Sequence, residues 1–405
     1  MTRTGPEEAR HRAARARWGT TMSVQGEQQG ERPGRITGFD GERNGFRRPF
    51  PVTKRSHAAR SRRYAALDLG TNNCRLLIAE ARGTGFRVVD GFSRIVRLGE
   101  RLSCDGVLSE PAMSRAIEAL KVCAAKLDLA DVASARLVAT EACRSARNGR
   151  DFTDRVRTET GLDIEVVDRE TEARLAVAGC APLIADDAEG VLLFDIGGGS
   201  SEIVWIDLTS RYRLSGTALV RCIRAWTSLP VGVVTLAERH GGTEVDETVF
   251  ADMVADVRQM LDRIDPRGVL AEAVARGKVH LLGTSGTVTT LAGLFLGLKR
   301  YDRRQVDGTW LDHQQIDTLI AQLLSMDFNE RVANPCIGAD RADLVLAGCA
   351  ILEAIRQRWP CERLRVADRG LREGMLMELI EHDRLARHRS RRSRVSVIGA
   401  APTLA

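Results

Sequence analysis

Asp68-Leu-Gly-Thr-Asn-Asn-Cys-Arg-Leu-Leu-Ile78 and Asp195-Ile-Gly-Gly-Gly-Ser-Ser-Glu-Ile-Val-Trp205 are two copies of one pattern, and their reading decides the fold. Each has an aspartate, an apolar residue, glycine, a few small or polar residues, then an apolar run. A short apolar strand precedes each copy, Tyr64 to Leu67 and Val191 to Phe194. Each therefore reads as strand, tight turn, strand. Glycine permits positive φ in a turn and lets backbone N–H groups approach an anion closely. An aspartate at a strand end can hold a metal ion or orient a water. Two such hairpins facing each other across a cleft would grip phosphate from both sides.

Outward from the first hairpin, Phe86–Leu98 reads as further strand. Ser109 is placed to cap a helix with Pro111 in its first turn. That helix buries Met113, Ile117, Leu120, Ala124 and Leu127, which recur at helical spacing. Arg136–Thr140 reads as a strand, followed by a helix from about Cys143. Ile164–Val167 is a further strand and Glu170–Cys180 a helix. Past the second hairpin, the strand Lys278–Leu282 runs into Gly283-Thr-Ser-Gly286 and a helix over Thr287–Leu298. This order points helix N–H groups at an anion. A helix is expected over Ala339–Gln357. Leu364–Glu381 starts as a strand and turns helical near Gly370.

The 405 residues allow two or three domains. No apolar run approaches the roughly 20 residues that span a bilayer. The Arg-rich start has no apolar core of a secretory signal, so a cytoplasmic location is expected. The net charge of +6 belongs to the ends. Residues 1–63 hold 15 Lys/Arg against 6 Asp/Glu, and residues 384–394 hold six Arg and no acid. The body between them is acidic, which argues against a basic nucleic-acid-binding surface. The nine cysteines form no CxxC pair and have no accompanying histidine cluster, so most are expected to be buried small hydrophobes.

Seven segments, in order, resemble the Ppx/GppA phosphatases, the exopolyphosphatases and guanosine pentaphosphate phosphohydrolases. They are ALDLGTNNCRLLIA (66–79), VATEACRSARN (138–148), ETEARLAVAG (170–179), LLFDIGGGSSEIV (192–204), LLGTSGTVTTLAG (281–293), IGADRADLVLAG (337–348) and VADRGLREG (366–374). The resemblance implies an α/β fold of two actin-like, ribonuclease H-like domains with a cleft between them. Residues 62–182 would form the first domain, completed by a helix at about 370–385, and 183–369 the second. Residues 1–61 are read as a disordered basic arm and 386–405 as a disordered basic tail. Longer members of the family carry a C-terminal HD-type helical domain. A short form without it is expected here, with His382-Asp383 a coincidence.

Hydrolysing a phosphoanhydride needs neutralised charge, an aligned water and a group that orients or deprotonates it. Gly70, Thr71, Asn72 and Asn73 are expected to bind one phosphate. Gly197, Gly198, Gly199, Ser200 and Ser201 would cradle its neighbour. Read alone, these loops are equally tight hairpin turns, and their pairing favours phosphate. Glu172 read alone is an ordinary helix glutamate, and the resemblance makes it the catalytic base. The family often has two glutamates before Ala-Arg, where this chain has Thr171-Glu172. Asp68, Asp195 and Glu202 are suited to hold Mg²⁺ through waters, or are structural turn and strand charges. Arg144 matches a phosphate-contacting arginine of the family, with Arg147 and Arg174 weaker candidates. Gly283, Thr284, Ser285 and Gly286 match the loop that touches adenosine in actin-type ATPases, and here would meet a nucleotide or a more distal phosphate.

The expected function is Mg²⁺-dependent exopolyphosphatase action, releasing terminal orthophosphate from inorganic polyphosphate. Hydrolysis of pppGpp to ppGpp is the alternative of the same class. A sugar or acid kinase and a non-catalytic polyphosphate or alarmone sensor are the other readings. The expected partner is inorganic polyphosphate or guanosine penta- or tetraphosphate, with neither membrane nor specific nucleic acid, and a homodimer is allowed.

Overall fold

β1 (Arg63–Leu69), β2 (Asn73–Arg82) and β3 (Gly85–Ile95) form an antiparallel meander, as the apolar alternation and the glycine turn require. β4 (Val132–Ala139) joins β1 in parallel and β5 (Glu165–Val166) joins β4, giving the order β3-β2-β1-β4-β5. β6 (Gly190–Ile196), β7 (Ser201–Asp207) and β8 (Ile223–Leu229) repeat the meander. β9 (Val279–Thr284) lies parallel to β6, β10 (Trp310–Asp312) is an antiparallel edge, and β11 (Arg363–Ala367) lies between them. The order β8-β7-β6-β9-β11 matches that of the first sheet, with β10 added. The repeated sequence pattern is thus the visible part of a repeated five-stranded half. These are the two actin-like halves that the resemblance implies. The structure, a computed structural model, describes residues 62–83, 85–209, 216–264 and 269–398, with side chains as far as Arg387. The N-terminal arm and the last residues of the tail lie outside them.

Register places the two acidic positions alike. Asp68 pairs across its hairpin with Arg75, and Asp195 with Glu202. Tyr64, Ala65, Ala66, Leu67 and Leu69 of β1 are all buried, as in a strand covered on both faces. The helix Glu110–Ala130 begins as expected, with Ser109 Oγ accepting the Ala112 N–H at 3.4 Å. The helix Arg169–Cys180 crosses the helix Leu371–Ile398 at two glycines. A Cβ on Gly179 would fall 1.9 Å from the Gly370 carbonyl oxygen, and one on Gly374 would fall 2.1 Å from that of Leu175. Leu371, Met375, Leu376 and Ile380 of the last helix pack with Tyr64, Ala66, Leu77 and Val138 of the first sheet.

Three expectations differ from the structure. The helix expected from Ala339 starts at Val345, because residues 338–344 make turns opened by Gly338 at φ 74°. The helix after β11 continues to Ile398, where unstructured chain was expected from residue 386. Its arginines are good helix formers once a helix has been nucleated upstream. The expected strand over Phe86–Leu98 ends at Ile95, and the residues after it turn to follow the first hairpin loop. All nine cysteines are free, and all but Cys104 are buried. Among the described residues no helix is long and apolar enough to cross a membrane.

Candidate active site

The two hairpin loops meet. A Cβ on Gly198 would lie 2.9 Å from Thr71 Cβ and 3.2 Å from Asn72 N, and one on Gly199 would lie 2.8 Å from Thr71 Oγ1. Only glycine allows that approach. The loop carbonyls are engaged from behind: Thr71 O accepts from Gly99 N, Asn72 O from Val96 N, and Gly197 O from Val233 N. Among the described residues the N–H groups of Thr71, Asn72, Gly198, Gly199 and Ser200 have no protein acceptor. Clustered free N–H groups form an anion-binding concavity. The loops line an open cavity of about 120 Å³.

Five carboxylates line this cavity: Asp68, Glu141, Glu172, Asp195 and Glu202. Asp168 caps the Arg169–Cys180 helix by accepting the Thr171 N–H at 2.7 Å, which sets Glu172 in the first turn. Burial pushes Glu172 well above the usual carboxylate range, the charge of Glu202 adds to this, and Arg144 opposes it. Glu202 accepts from Ser200 Oγ and Ser228 Oγ, both at 2.8 Å. Burial and then the charge of Asp195 raise Glu202 to about 7. Burial raises Asp68 to about 6. Burial also raises Asp195, against the Ser285 hydroxyl that donates to it at 2.5 Å.

Gly70, Thr71, Asn72, Asn73, Gly197, Gly198, Gly199, Ser200, Ser285 and Gly286 line the same cavity. Four expected residues stand elsewhere. Ser201 donates to Val231 O at 2.7 Å and is fully buried. Gly283 lies against Phe194, where a Cβ would come within 2.6 Å of the ring. Thr284 donates to Arg369 O at 2.6 Å and faces an adjoining cavity. Arg144 has its donors occupied: Nε and Nη2 on Glu141 at 3.1 and 2.6 Å, Nη2 on Glu172 at 3.1 Å, and Nη1 on Val167 O at 2.6 Å. It stands behind the carboxylates and braces Glu172. Glu141 is itself held by Arg169 and Ser145.

Arg75, Arg341 and Arg372 are the cations that the sequence reading missed. They line the adjoining cavity together with Tyr301. Arg75 and Arg341 also line the first cavity. Among the described residues none of the three has a side-chain hydrogen bond or ion pair. Burial and the neighbouring Arg372 charge lower Arg75 below its usual value, against the opposing charges of Asp68 and Asp368. All three lie within or beside the quoted motifs. In a chain with 60 Lys/Arg, nothing local marks which of them lacks a partner.

No group of three Asp, Glu, His or Cys among the described residues is arranged as a ready metal cage. Magnesium needs less, because it usually keeps several waters and takes one or two carboxylates with substrate phosphates. Asn72 Oδ1 and Asn73 Oδ1 are buried acceptors without partners. With carboxylates crowded enough to raise one another, they form a donor set that fits a hydrated cation.

Duplicated sheets whose glycine hairpins meet over buried carboxylates define a protein of actin-like fold. The model of the Ppx/GppA phosphatase family matches residues 77–383, and the chain belongs to that family. It is 28% identical over 336 residues to a guanosine-5'-triphosphate,3'-diphosphate pyrophosphatase of Aeromonas salmonicida, covering 82% of this chain and 63% of that one. The chain thus spans less than two thirds of that relative's length. The crystal structure of the Aquifex aeolicus member of the Ppx/GppA family matches with a TM-score of 0.64 at 28% identity, covering 80% of this chain and 98% of that one. An exopolyphosphatase from Cytophaga hutchinsonii matches with a TM-score of 0.67 at 25% identity, covering 79% and 98%.

Proposed function

We propose that this chain is an exopolyphosphatase that hydrolyses the terminal phosphoanhydride of inorganic polyphosphate with Mg²⁺. One observation carries the reading: two loops of free N–H groups line a cavity of about 120 Å³ that has a buried glutamate in its wall. Such a cavity suits one terminal phosphate and its attacking water. Arg75, Arg341 and Arg372 continue from it and suit the next phosphates of a chain.

In the mechanism, Glu172 holds a water through its carboxylate and takes a proton as the water oxygen bonds to the terminal phosphorus. The bridging P–O bond breaks, and orthophosphate and a shortened chain leave. A base buried among like charges keeps affinity for that proton near neutral pH. Arg144 orients the carboxylate, and the loop N–H groups meet the charge on the equatorial oxygens. When bound, Mg²⁺ would neutralise phosphate charge, held by one or two of Asp68, Asp195 and Glu202.

The second reading, hydrolysis of pppGpp, has one observation in its favour. Tyr301 is 36% exposed beside the three arginines. An aromatic face suits a nucleobase and has no use for a bare polyphosphate. Orthophosphate release from polyphosphate, pppGpp and ATP, measured in parallel, decides between them. The first reading expects polyphosphate to give the highest kcat/KM. A higher value for pppGpp would replace it with the second, and release from none would remove both.

A further inference from the structure

We propose that Arg97, Glu238 and Asp343 are positioning residues forming a clasp that holds the two phosphate loops in register across the cleft. The proposal rests on the reading that one phosphate is gripped by both loops, and it does not depend on which phosphoanhydride carries that phosphate.

Each loop has a backing element. Residues 96–99 run behind the first loop, with Val96 N and Arg97 N donating to Asn72 O at 2.8 and 3.1 Å and Gly99 N to Thr71 O at 2.9 Å. A Cβ on Gly99 would fall 2.2 Å from Thr71 Cγ2, so this contact depends on glycine. The helix Val233–His240 backs the second loop, with Val233 N and Val234 N donating to Gly197 O and Gly198 O, both at 2.9 Å. Any displacement of a backing element therefore moves its loop.

Two links join the segments around these backing elements. Residues just past the first meet Glu238 of the second, and Arg97 of the first meets Asp343, which precedes the helix Val345–Arg358 that packs on the Val233–His240 helix. Glu238, near the far end of the Val233–His240 helix, accepts from Arg101 N at 2.7 Å through Oε1 and from Ser103 Oγ at 2.8 Å through Oε2. Arg97 lays its fork on Asp343, Nη1 to Oδ2 at 2.9 Å and Nη2 to Oδ1 at 3.1 Å, and Nη2 also reaches Asp340 O at 3.3 Å. Asp343 is two residues from Arg341, which lines the phosphate cavity. Arg97 and Arg101 both sit in the left-handed backbone region, at φ 46° and 59°. Non-glycine residues hold that conformation where surrounding bonds impose it. The clasp supplies those bonds.

Both loops wall the cavity of about 120 Å³, so a phosphate seated in it is contacted from two sides and leaves most readily when the loops part. Turnover then includes separation of the loops and their return to register. The clasp sets how far the closed arrangement is populated. A bidentate pair with 36% and 21% of its side chains exposed is strong enough to bias that equilibrium and weak enough to break.

The test is hydrogen–deuterium exchange on the full chain, for wild type, Glu238→Ala, Arg97→Asp, Asp343→Arg and the double reversal Arg97→Asp/Asp343→Arg. In the single variants the amides that tie the loops to their backing elements, those of Val96, Gly99, Val233 and Val234, should exchange about tenfold faster while β1 and β6 keep their protection. The double reversal should return the loops toward wild-type exchange. With whichever substrate the wild type hydrolyses, kcat/KM should fall about tenfold in the single variants and recover in the double. Loop exchange unchanged in all single variants overturns the clasp. So does exchange raised equally in β1 and β6, or a double reversal no better than the singles. A wild-type chain that hydrolyses neither polyphosphate nor pppGpp would remove the proposed function, while the exchange measurement would still decide the clasp.

Discussion

The base role proposed for Glu172 rests on its surroundings. Burial and Glu202 favour its protonated form, and Arg144 at 3.1 Å favours the carboxylate. Glu172→Gln keeps the shape and removes the basicity, so kcat should fall by about 10²–10⁴ with substrate binding retained. Isothermal titration with a slowly hydrolysed phosphoanhydride analogue checks the second half. Arg144→Ala removes the opposing cation and raises Glu172 further, so the acid limb of the kcat–pH profile should move to higher pH. A limb that stays or moves down would show that Arg144 does not tune this base. Glu202 gives a stability prediction. Its folded value of about 7 lies above the ordinary 4.5, so the native state holds the proton longer than the unfolded chain. Its contribution therefore falls as pH rises from about 4.5 to about 7. In EDTA, Glu202→Gln should gain melting temperature relative to wild type across that window. A constant difference would contradict the assignment.

At the scale of elements, local patterns were legible and partner choice was not. Both hairpins could be read because strand, glycine turn and strand are contiguous and short. The Ser109 cap and the apolar face of its helix were equally local. The start of the Val345–Arg358 helix was misplaced because Asp340, Arg341 and Asp343 fit an amphipathic helix, while Gly338 in a left-handed turn determines the actual path. Arg144 was read as a phosphate ligand although Glu141, three residues earlier on the same helix, was available to pair with it, and the second partner, Glu172, comes from a different helix that its own segment does not reveal. The crossing of the Arg169–Cys180 and Leu371–Ile398 helices depends on Gly179 and Gly374, whose neighbours are backbone atoms that cannot swing aside. Gly374→Ala should therefore destabilise the fold by about 1–3 kcal/mol, read by urea unfolding. Stability equal to wild type would mean that the helices can part at little cost.

The whole molecule joins two similar halves, and the cleft chemistry is divided between them: Asp68, Glu172 and the first loop from one, Asp195, Glu202 and the second loop from the other. The duplication showed the two loops and their aspartates, whereas Glu172 was singled out only by the family resemblance. The three unpaired arginines were not legible, because Arg75, Arg341 and Arg372 come together only through the fold. The clasp was equally hidden, since Arg97 and Asp343 are 246 residues apart. The proposed Mg²⁺ requirement belongs to this scale, because one or two carboxylates from either half would share the ion. Excess EDTA should abolish phosphate release, and added Mg²⁺ should restore it. Full activity in EDTA would refute the requirement. The central claim is that water, activated by Glu172, attacks the terminal phosphorus of a phosphoanhydride chain. The most direct test is hydrolysis of polyphosphate in ¹⁸O-labelled water by the wild type and Glu172→Gln. One labelled oxygen in each released orthophosphate, with release nearly lost in the variant, is the predicted result. Unlabelled orthophosphate, or a variant as fast as wild type, would contradict it.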